Sequence, residues 1–341
     1  VATAKSPRPV NLALQGGGAH GAFTWGVLDR LLDEDSIAIE AVSGTSAGAM
    51  NGLILAQGLM EGGRPRAKEL LESFWKKIST AASFSPLQPT PIEKFFGQRD
   101  VTYSPSFYAM EIFTRIFSPY QYNFFDLNPL RNIVTELVDF KKLRKKSPIK
   151  LFVNATHVTS GKIRVFKTEE LTMDMLMATA CLPFLFKTVY VDGEPYWDGG
   201  YSGNPALYPL FYNCAAEDII IVQVNPVFTD DIPTTAMEIL DRVNDISFNA
   251  TLMREMRAIY FVKQLLHDNK VPHSSYKDVR PHLIEATEVM NQIGAASKFN
   301  ADIDFLNYMR QVGYDAAENW LAEHSDAIGK HTTLDIESMY L

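Results

Sequence analysis

The sequence predicts a three-layer α/β/α domain with a central, mostly parallel sheet and a helical C-terminal section. Three observations carry that expectation. An apolar strand-like run, Val10-Asn11-Leu12-Ala13-Leu14, leads through a glycine loop into a helical pattern. A second, Ile37-Ala38-Ile39-Glu40-Ala41-Val42, leads through Gly44-Thr45-Ser46-Ala47-Gly48 into another. Strand, loop, helix, repeated, builds a parallel sheet whose faces the helices cover. The third is Asp218-Ile219-Ile220-Ile221-Val222-Gln223-Val224, whose nearly continuous apolar run reads as a strand buried on both faces.

The elements follow in order. After the glycine loop Gln15–Gly21, a helix over 22–32 places Trp25, Leu28 and Leu32 on one face. Small and apolar residues over 47–56 continue the second unit, and 66–77 suits a further helix. Residues 79–128 are irregular, with prolines at 86, 89, 91, 105 and 119; the aromatics between Tyr103 and Phe125 suit a lid or acyl-chain pocket as well as ordinary packing. Residues 130–143 read as one amphipathic helix, and the basic run at 141–146 as its solvated end. Ser160-Gly161 joins two strand-like runs, 149–156 and 162–166, as a hairpin. A helix over 171–180 is stopped by Pro183, and short strands are expected at 188–191 and 195–197. From about residue 234 the pattern is helical near 237–267 and 303–324, with one strand, 282–286, between them.

Composition bounds the function. The 341 residues suffice for a substantial core, and 46% hydrophobic with 21% charged residues is ordinary for a globular protein. A net charge of −8 excludes the basic footprint of a nucleic-acid binder. The two cysteines, Cys181 and Cys214, form no disulfide framework and no metal-spaced cluster. Neither a metal nor another cofactor is called for. A reducing, cytoplasmic compartment suits such a chain, with any membrane association peripheral; the start at Val1 leaves a removed signal peptide open. Residues 41–60 carry no charge, yet Gly44, Gly48, Gly52, Gly58 and several polar residues make them too polar for a membrane span.

Three short motifs carry chemistry. Gly44-Thr45-Ser46-Ala47-Gly48, between strand and helix, is the nucleophile-elbow pattern, in which small neighbours permit a sharp turn that presents a serine hydroxyl. A Ser/Thr helix cap is the plainer reading. Gly16-Gly17-Gly18-Ala19-His20-Gly21 supplies backbone N–H groups at a helix start, suited to an oxyanion hole. It also fits the dinucleotide spacing through Gly16, Gly18 and Gly21, although the only acid of the second strand, Glu40, lies inside it. Trp197-Asp198-Gly199-Gly200 ends a strand in a tight turn; alone it reads as an Asp-Gly turn, in company it offers a carboxylate.

Taken jointly, in this order and spacing, the three motifs resemble the patatin-like phospholipase family of serine acyl hydrolases, over residues 9–225. The segment Ala178-Thr179-Ala180-Cys181-Leu182-Pro183-Phe184 is similar to that family too. The resemblance implies a patatin-like catalytic domain over 9–225, a flexible segment 1–8, and a helical section 226–341 packed on the same domain. It implies a Ser46–Asp198 dyad without histidine, cleaving carboxylic esters of lipids at a transiently contacted lipid surface. The oxyanion hole would draw on Gly16, Gly17, Gly18 and Ala47, supported by His20, Gly44, Gly48, Gly199 and Gly200. His20 stands where the family usually has Arg or Lys; a contribution from it there would depend on pH near 6–7, and the equal alternative is a helix-start residue that merely positions the loop. Histidines 267, 273, 282, 324 and 331 follow Asp198; His267 reads as a helix terminus and His273 as part of a polar loop, and neither sits after a recognisable core strand as a catalytic base would. A nucleotide-binding protein, or a non-catalytic regulator of the same fold, is the alternative.

Overall fold

The computed structural model describes residues 6–83, 109, 113–114, 116–123, 125–229, 232–272 and 274–341. Within the aromatic stretch, Tyr103, Phe107, Tyr108 and Phe124 lie outside those residues, as does His273.

β1 (Arg8–Leu14) and β2 (Ile37–Gly44) lie side by side and parallel, flanked by β7 (Asp218–Val222) and β3 (Lys150–His157) respectively. β8 (Arg280–Ile284) extends the sheet parallel to β7. At the other end the sheet turns antiparallel: β3 pairs with β4 (Ile163–Lys167) and with β6 (Glu194–Asp198), and β6 with β5 (Val189–Val191). The resulting path is β5-β6-β3-β2-β1-β7-β8, with β4 on β3. This is the mixed α/β architecture that the sequence predicts.

Alternation along the central strands fills two cores. Val10, Leu12, Leu14, Val42, Leu151, Val153, Ile220 and Val222 face α1 (Gly21–Leu32), α2 (Ala47–Ala82), α4 (Pro129–Leu137), α6 (Met173–Thr179) and α10 (Ile303–His324). Ala13, Ala41, Phe152, Ile219 and Ile221 face the other way, against α7 (Tyr208–Asn213), α8 (Ala236–His267) and α11 (Ile336–Tyr340). Burial of each large apolar side chain contributes roughly 1.5–3 kcal/mol. The helical section therefore covers both faces and supplies the edge strand β8.

α1 is buried all round except at Arg30, because α10 covers the face turned away from the sheet. That seam is closed by two glycines: a Cβ on Gly26 would fall 1.8 Å from Arg310 O, and one on Gly313 2.0 Å from Phe23 O. Arg310 completes it, pairing with buried Asp29 at 2.6 Å and lying 4.5 Å over the Trp25 ring.

The helical patterns at 47–56 and 66–77 lie on two helices as expected, which run together as α2 but are separated at Gly62 and Gly63, where φ/ψ leave the helical range. One expected helix differs. The single helix expected over 130–143 is two, α4 and α5 (Phe140–Lys146), because Asp139 caps a new start by accepting from Lys142 N at 3.0 Å.

Candidate active site

Ser46 stands where β2 becomes α2, at φ 50° and ψ −122°. A non-glycine residue there stores on the order of 1–3 kcal/mol of strain, held only if its surroundings leave no alternative. They leave none. A Cβ on Gly44 would lie 2.8 Å from Gly48 O, and one on Gly48 2.2 Å from Leu14 O, so both glycines of the pentapeptide are required by backbone contact. The N–H of Ser46 donates to Thr179 Oγ1 at 3.0 Å. Thr45 Oγ1 sits between Asn154 Oδ1 (2.7 Å) and Gly203 O (2.8 Å), pinning the turn to β3 and to the segment after β6.

β3 brings Asp198 to this turn. Phe152 and Val153 pair with Ser43 and Gly44 on one side and with Lys167 and Phe166 on the other. Ala155 and Thr156 pair with Arg164 and Ile163, and also with Asp198 and Trp197. β2 and β6 thus share one edge of β3, approaching from opposite ends. The last residue of β6 arrives two positions beyond the last residue of β2.

Asp198 is 1% exposed. Its N–H donates to Cys181 O (2.8 Å), and its carbonyl accepts from Thr156 Oγ1 (2.7 Å). Oδ1 accepts from Gly200 N at 2.7 Å, while Oδ2 has no partner of ordinary hydrogen-bond geometry. Burial pushes the carboxyl up to about 7, against the smaller opposing influence of the Gly200 N–H and the nearby Ser46 side chain. Gly199 is dictated by packing, since a Cβ there would meet Asn154 O at 2.1 Å.

The glycine loop abuts the elbow directly: a Cβ on Gly16 would come 2.8 Å from the Ser46 Cβ. Gly16 shapes the loop and is not a free donor, because its N–H donates to Asn204 Oδ1 at 2.7 Å. The N–H groups of Gly17, Gly18 and Ala47 enter none of the hydrogen bonds found among the described residues. Gly18 holds φ 58°, a value that favours glycine. An amide cluster fixes the loop from below. Gln15 Oε1 accepts from Val224 N and Asn225 N at 3.0 Å each, Gln15 Nε2 donates to Asn249 Oδ1 (3.1 Å), and Asn225 Nδ2 donates to Gly16 O (2.8 Å).

His20 corrects an expectation. It is 2% exposed, and burial, reinforced by the charge of Lys298, pushes its imidazole down to about 3. Burial thus disfavours the imidazolium form and speaks against the cation, and the pH dependence near 6–7, that its position suggested. The other described histidines lie elsewhere. His282, on β8, donates to Asp218 at 3.0 Å near the opposite edge of the sheet, and His157 pairs with Glu194 at 2.8 Å. Glu40, the strand acid considered for a ribose, occupies a bulge where β1 and β2 shift register and accepts from Ala215 N (2.8 Å) and Ala216 N (2.7 Å).

A cavity of about 460 Å³ opens behind the loop, touching His20, Arg242, Asp245 and Lys298 but neither Ser46 nor Asp198. Reading the sequence did not single out Thr179, Asn154, Asn204 and Gln15 as site residues. The usable signal was an amide or hydroxyl inside an otherwise apolar run, as in Val153-Asn154-Ala155. No group of three or more potential metal ligands occurs among the described residues, and no described helix is long and apolar enough to cross a membrane.

Comparison with known proteins bears on this arrangement. Among solved structures, VipD from Legionella pneumophila is similar at 17% identity and a TM-score of 0.42, over 93% of this chain and 67% of that one. ExoU, in its heterodimeric complex with SpcU from the type III secretion system of Pseudomonas aeruginosa, is similar at 20% identity and a TM-score of 0.31, over 72% of this chain and 51% of that one. The chain thus spans about half the length of the second. No curated protein sequence matches it. The model of one family does, over residues 12–210 and hence well over half of the 341 residues, a span that includes the glycine loop, Ser46 and Asp198. The chain belongs to the patatin-like phospholipase family.

Proposed function

We propose that this chain is a serine acyl hydrolase that cleaves carboxylic esters of lipids through a Ser46–Asp198 dyad. The observation that carries the reading is the Asp198 carboxyl: buried, with Oδ2 unpartnered beside a serine held at a strained φ. An ordinary carboxylate, with a pKa near 3.9, is too weak a base for a serine hydroxyl. Raised to about 7, it is matched to neutral pH and still ionised in a useful fraction of molecules.

Ser46 Oγ attacks the ester carbonyl carbon as its proton passes to Asp198 Oδ2. The oxyanion takes the N–H groups of Gly17, Gly18 and Ala47, and each such donor is worth about 2.7–4 kcal/mol of barrier. Collapse of the tetrahedral species breaks the ester C–O bond, and Asp198 returns the proton to the departing alcohol. Water, deprotonated by the same carboxylate, then cleaves the acyl-serine and restores both groups. The small spacing between loop and elbow supports a carbonyl oxygen there better than a pyrophosphate, and Glu40 is committed to the backbone at 215–216.

Labelling by a fluorophosphonate probe tests the reading. The parent chain is expected to label and to hydrolyse p-nitrophenyl esters. Ser46→Ala should do neither, and Asp198→Asn should label far more slowly. Full ester turnover in Ser46→Ala would sink the assignment.

A further inference from the structure

The region matched by the family model ends at residue 210, yet the glycine loop is gripped by a segment far beyond it. The 3-10 turn Ala295–Phe299 packs against the loop in two places. A Cβ on Gly18 would fall 2.4 Å from Lys298 O, so the loop is pressed backbone to backbone onto the turn. Ser297, 0% exposed, meets His20 Nε2 at 2.6 Å.

The proton inventory of that contact is determined. Ser297 Oγ donates its one proton to Gly294 O at 2.7 Å, so it can only accept from the imidazole, and Nε2 of His20 carries the hydrogen. The turn is in turn tied to α8, where Lys298 Nζ pairs with Asp245 at 2.8 Å. α8 also carries Asn249, which holds Gln15, and Phe248, which closes over Gly200. One element of the C-terminal section thus reaches the proposed oxyanion loop through a chain of directed contacts.

We infer that Ser297 is a positioning residue for the oxyanion hole, acting through the His20 imidazole to hold Gly17 and Gly18 in register with Ser46. The inference rests on the proposed Ser46 chemistry. Its energetic logic is that displacing donors by a fraction of an ångström from the developing oxyanion costs rate without costing substrate affinity. Ser297 touches no reacting atom; it fixes the imidazole, and the imidazole fixes the loop.

The experiment measures kcat and KM for p-nitrophenyl esters in Ser297→Ala, His20→Ala and the double variant, with Ser46→Ala alongside. Ser297→Ala is expected to lower kcat about 10- to 100-fold with KM changed less than about twofold. In the His20→Ala background the same change should add less than about twofold, because the two residues act as one unit. An unchanged kcat in Ser297→Ala, or losses that multiply in the double variant, overturns the positioning role. Loss of turnover in Ser46→Ala together with either of those outcomes leaves the nucleophile assignment standing; full turnover in Ser46→Ala overturns the nucleophile and the positioning role together. Nitrogen-15 NMR of the unaltered protein gives a reading that needs no variant. The His20 ring is expected as the neutral Nε2–H tautomer from pH 5 to 9, and an Nδ1–H tautomer there overturns the proposal.

Discussion

Asp198→Asn should cost the protein its activity and return stability, and the gain should grow with pH. Burial raises the carboxyl from 3.8 to about 7. A carboxyl raised in this way stabilises the fold fully only below its unfolded value, and that stability is lost as pH climbs through the folded one. Each pKa unit corresponds to about 1.36 kcal/mol. Across the whole window the penalty for ionising Asp198 in place is therefore about 4 kcal/mol, of which about 3 kcal/mol accrues between pH 5 and pH 8.5. Asparagine keeps an oxygen for the Gly200 N–H and never ionises. Urea denaturation of both proteins at the two pH values measures the effect as a difference of differences. Glu255, which burial also raises to about 7, titrates alike in both and drops out. The expected result is an Asn variant whose advantage over the parent widens by about 3 kcal/mol from pH 5 to pH 8.5. An advantage equal at both pH values, or none at pH 8.5, would refute the claim that Asp198 is held in a costly ionised state for catalysis.

The same titration should appear in turnover: kcat/KM is expected to rise with pH and level off above about 7 as Asp198 ionises, and His20→Ala should leave that limb in place. A limb that disappears with His20 would assign it to the imidazole instead. Gly26→Ala places its Cβ 1.8 Å from Arg310 O, so the α1–α10 seam must open. Overpacking costs about 1–3 kcal/mol against about 1 kcal/mol of helix propensity gained, and thermal melting should register a net loss. At Asp218, burial would raise the carboxyl, but hydrogen bonds from His282, Arg280 and Gly329 outweigh it and hold the group well below the usual range. Its contribution is present above pH 4 and lost as pH falls, so Asp218→Asn should be less stable than the parent at neutral pH and show a flatter acid limb in a denaturation series.

Much of this was legible in the chain because its signals are local. A strand, a glycine turn and a helix in sequence leave few ways to arrange β1, β2 and their helices, and the tight turn at Ser46 needs small residues at 44 and 48 wherever it occurs. What sequence could not give were relations set by distant packing. His20 reads as a titratable group near a helix start, and only the packing of Ser297 and Lys298 over it buries the imidazole and lowers its pKa. Gly16 reads as a donor until Asn204, 188 residues away, takes its N–H. The break at Asp139 hides because apolar periodicity runs on through it, while the cap that restarts the helix is a single side chain.

The shared edge of β3 has a consequence for how such a chain can vary. Gly44 at the end of β2 and Asp198 at the end of β6 pair with the same strand, so hydrogen-bond register over Val153 to Ala155 helps set the distance from the elbow to Asp198, together with the anchors on Thr179 and Cys181. Connections between these two residues that carry neither the elbow helix nor Thr179 and Cys181 can lengthen or shorten with little effect on the site. A single residue inserted into β3 at that point would shift one partner by about 3.3 Å and turn it to the opposite face. Tolerance to insertion should accordingly be wide in the connections that touch none of these anchors and abruptly absent over three residues of one strand.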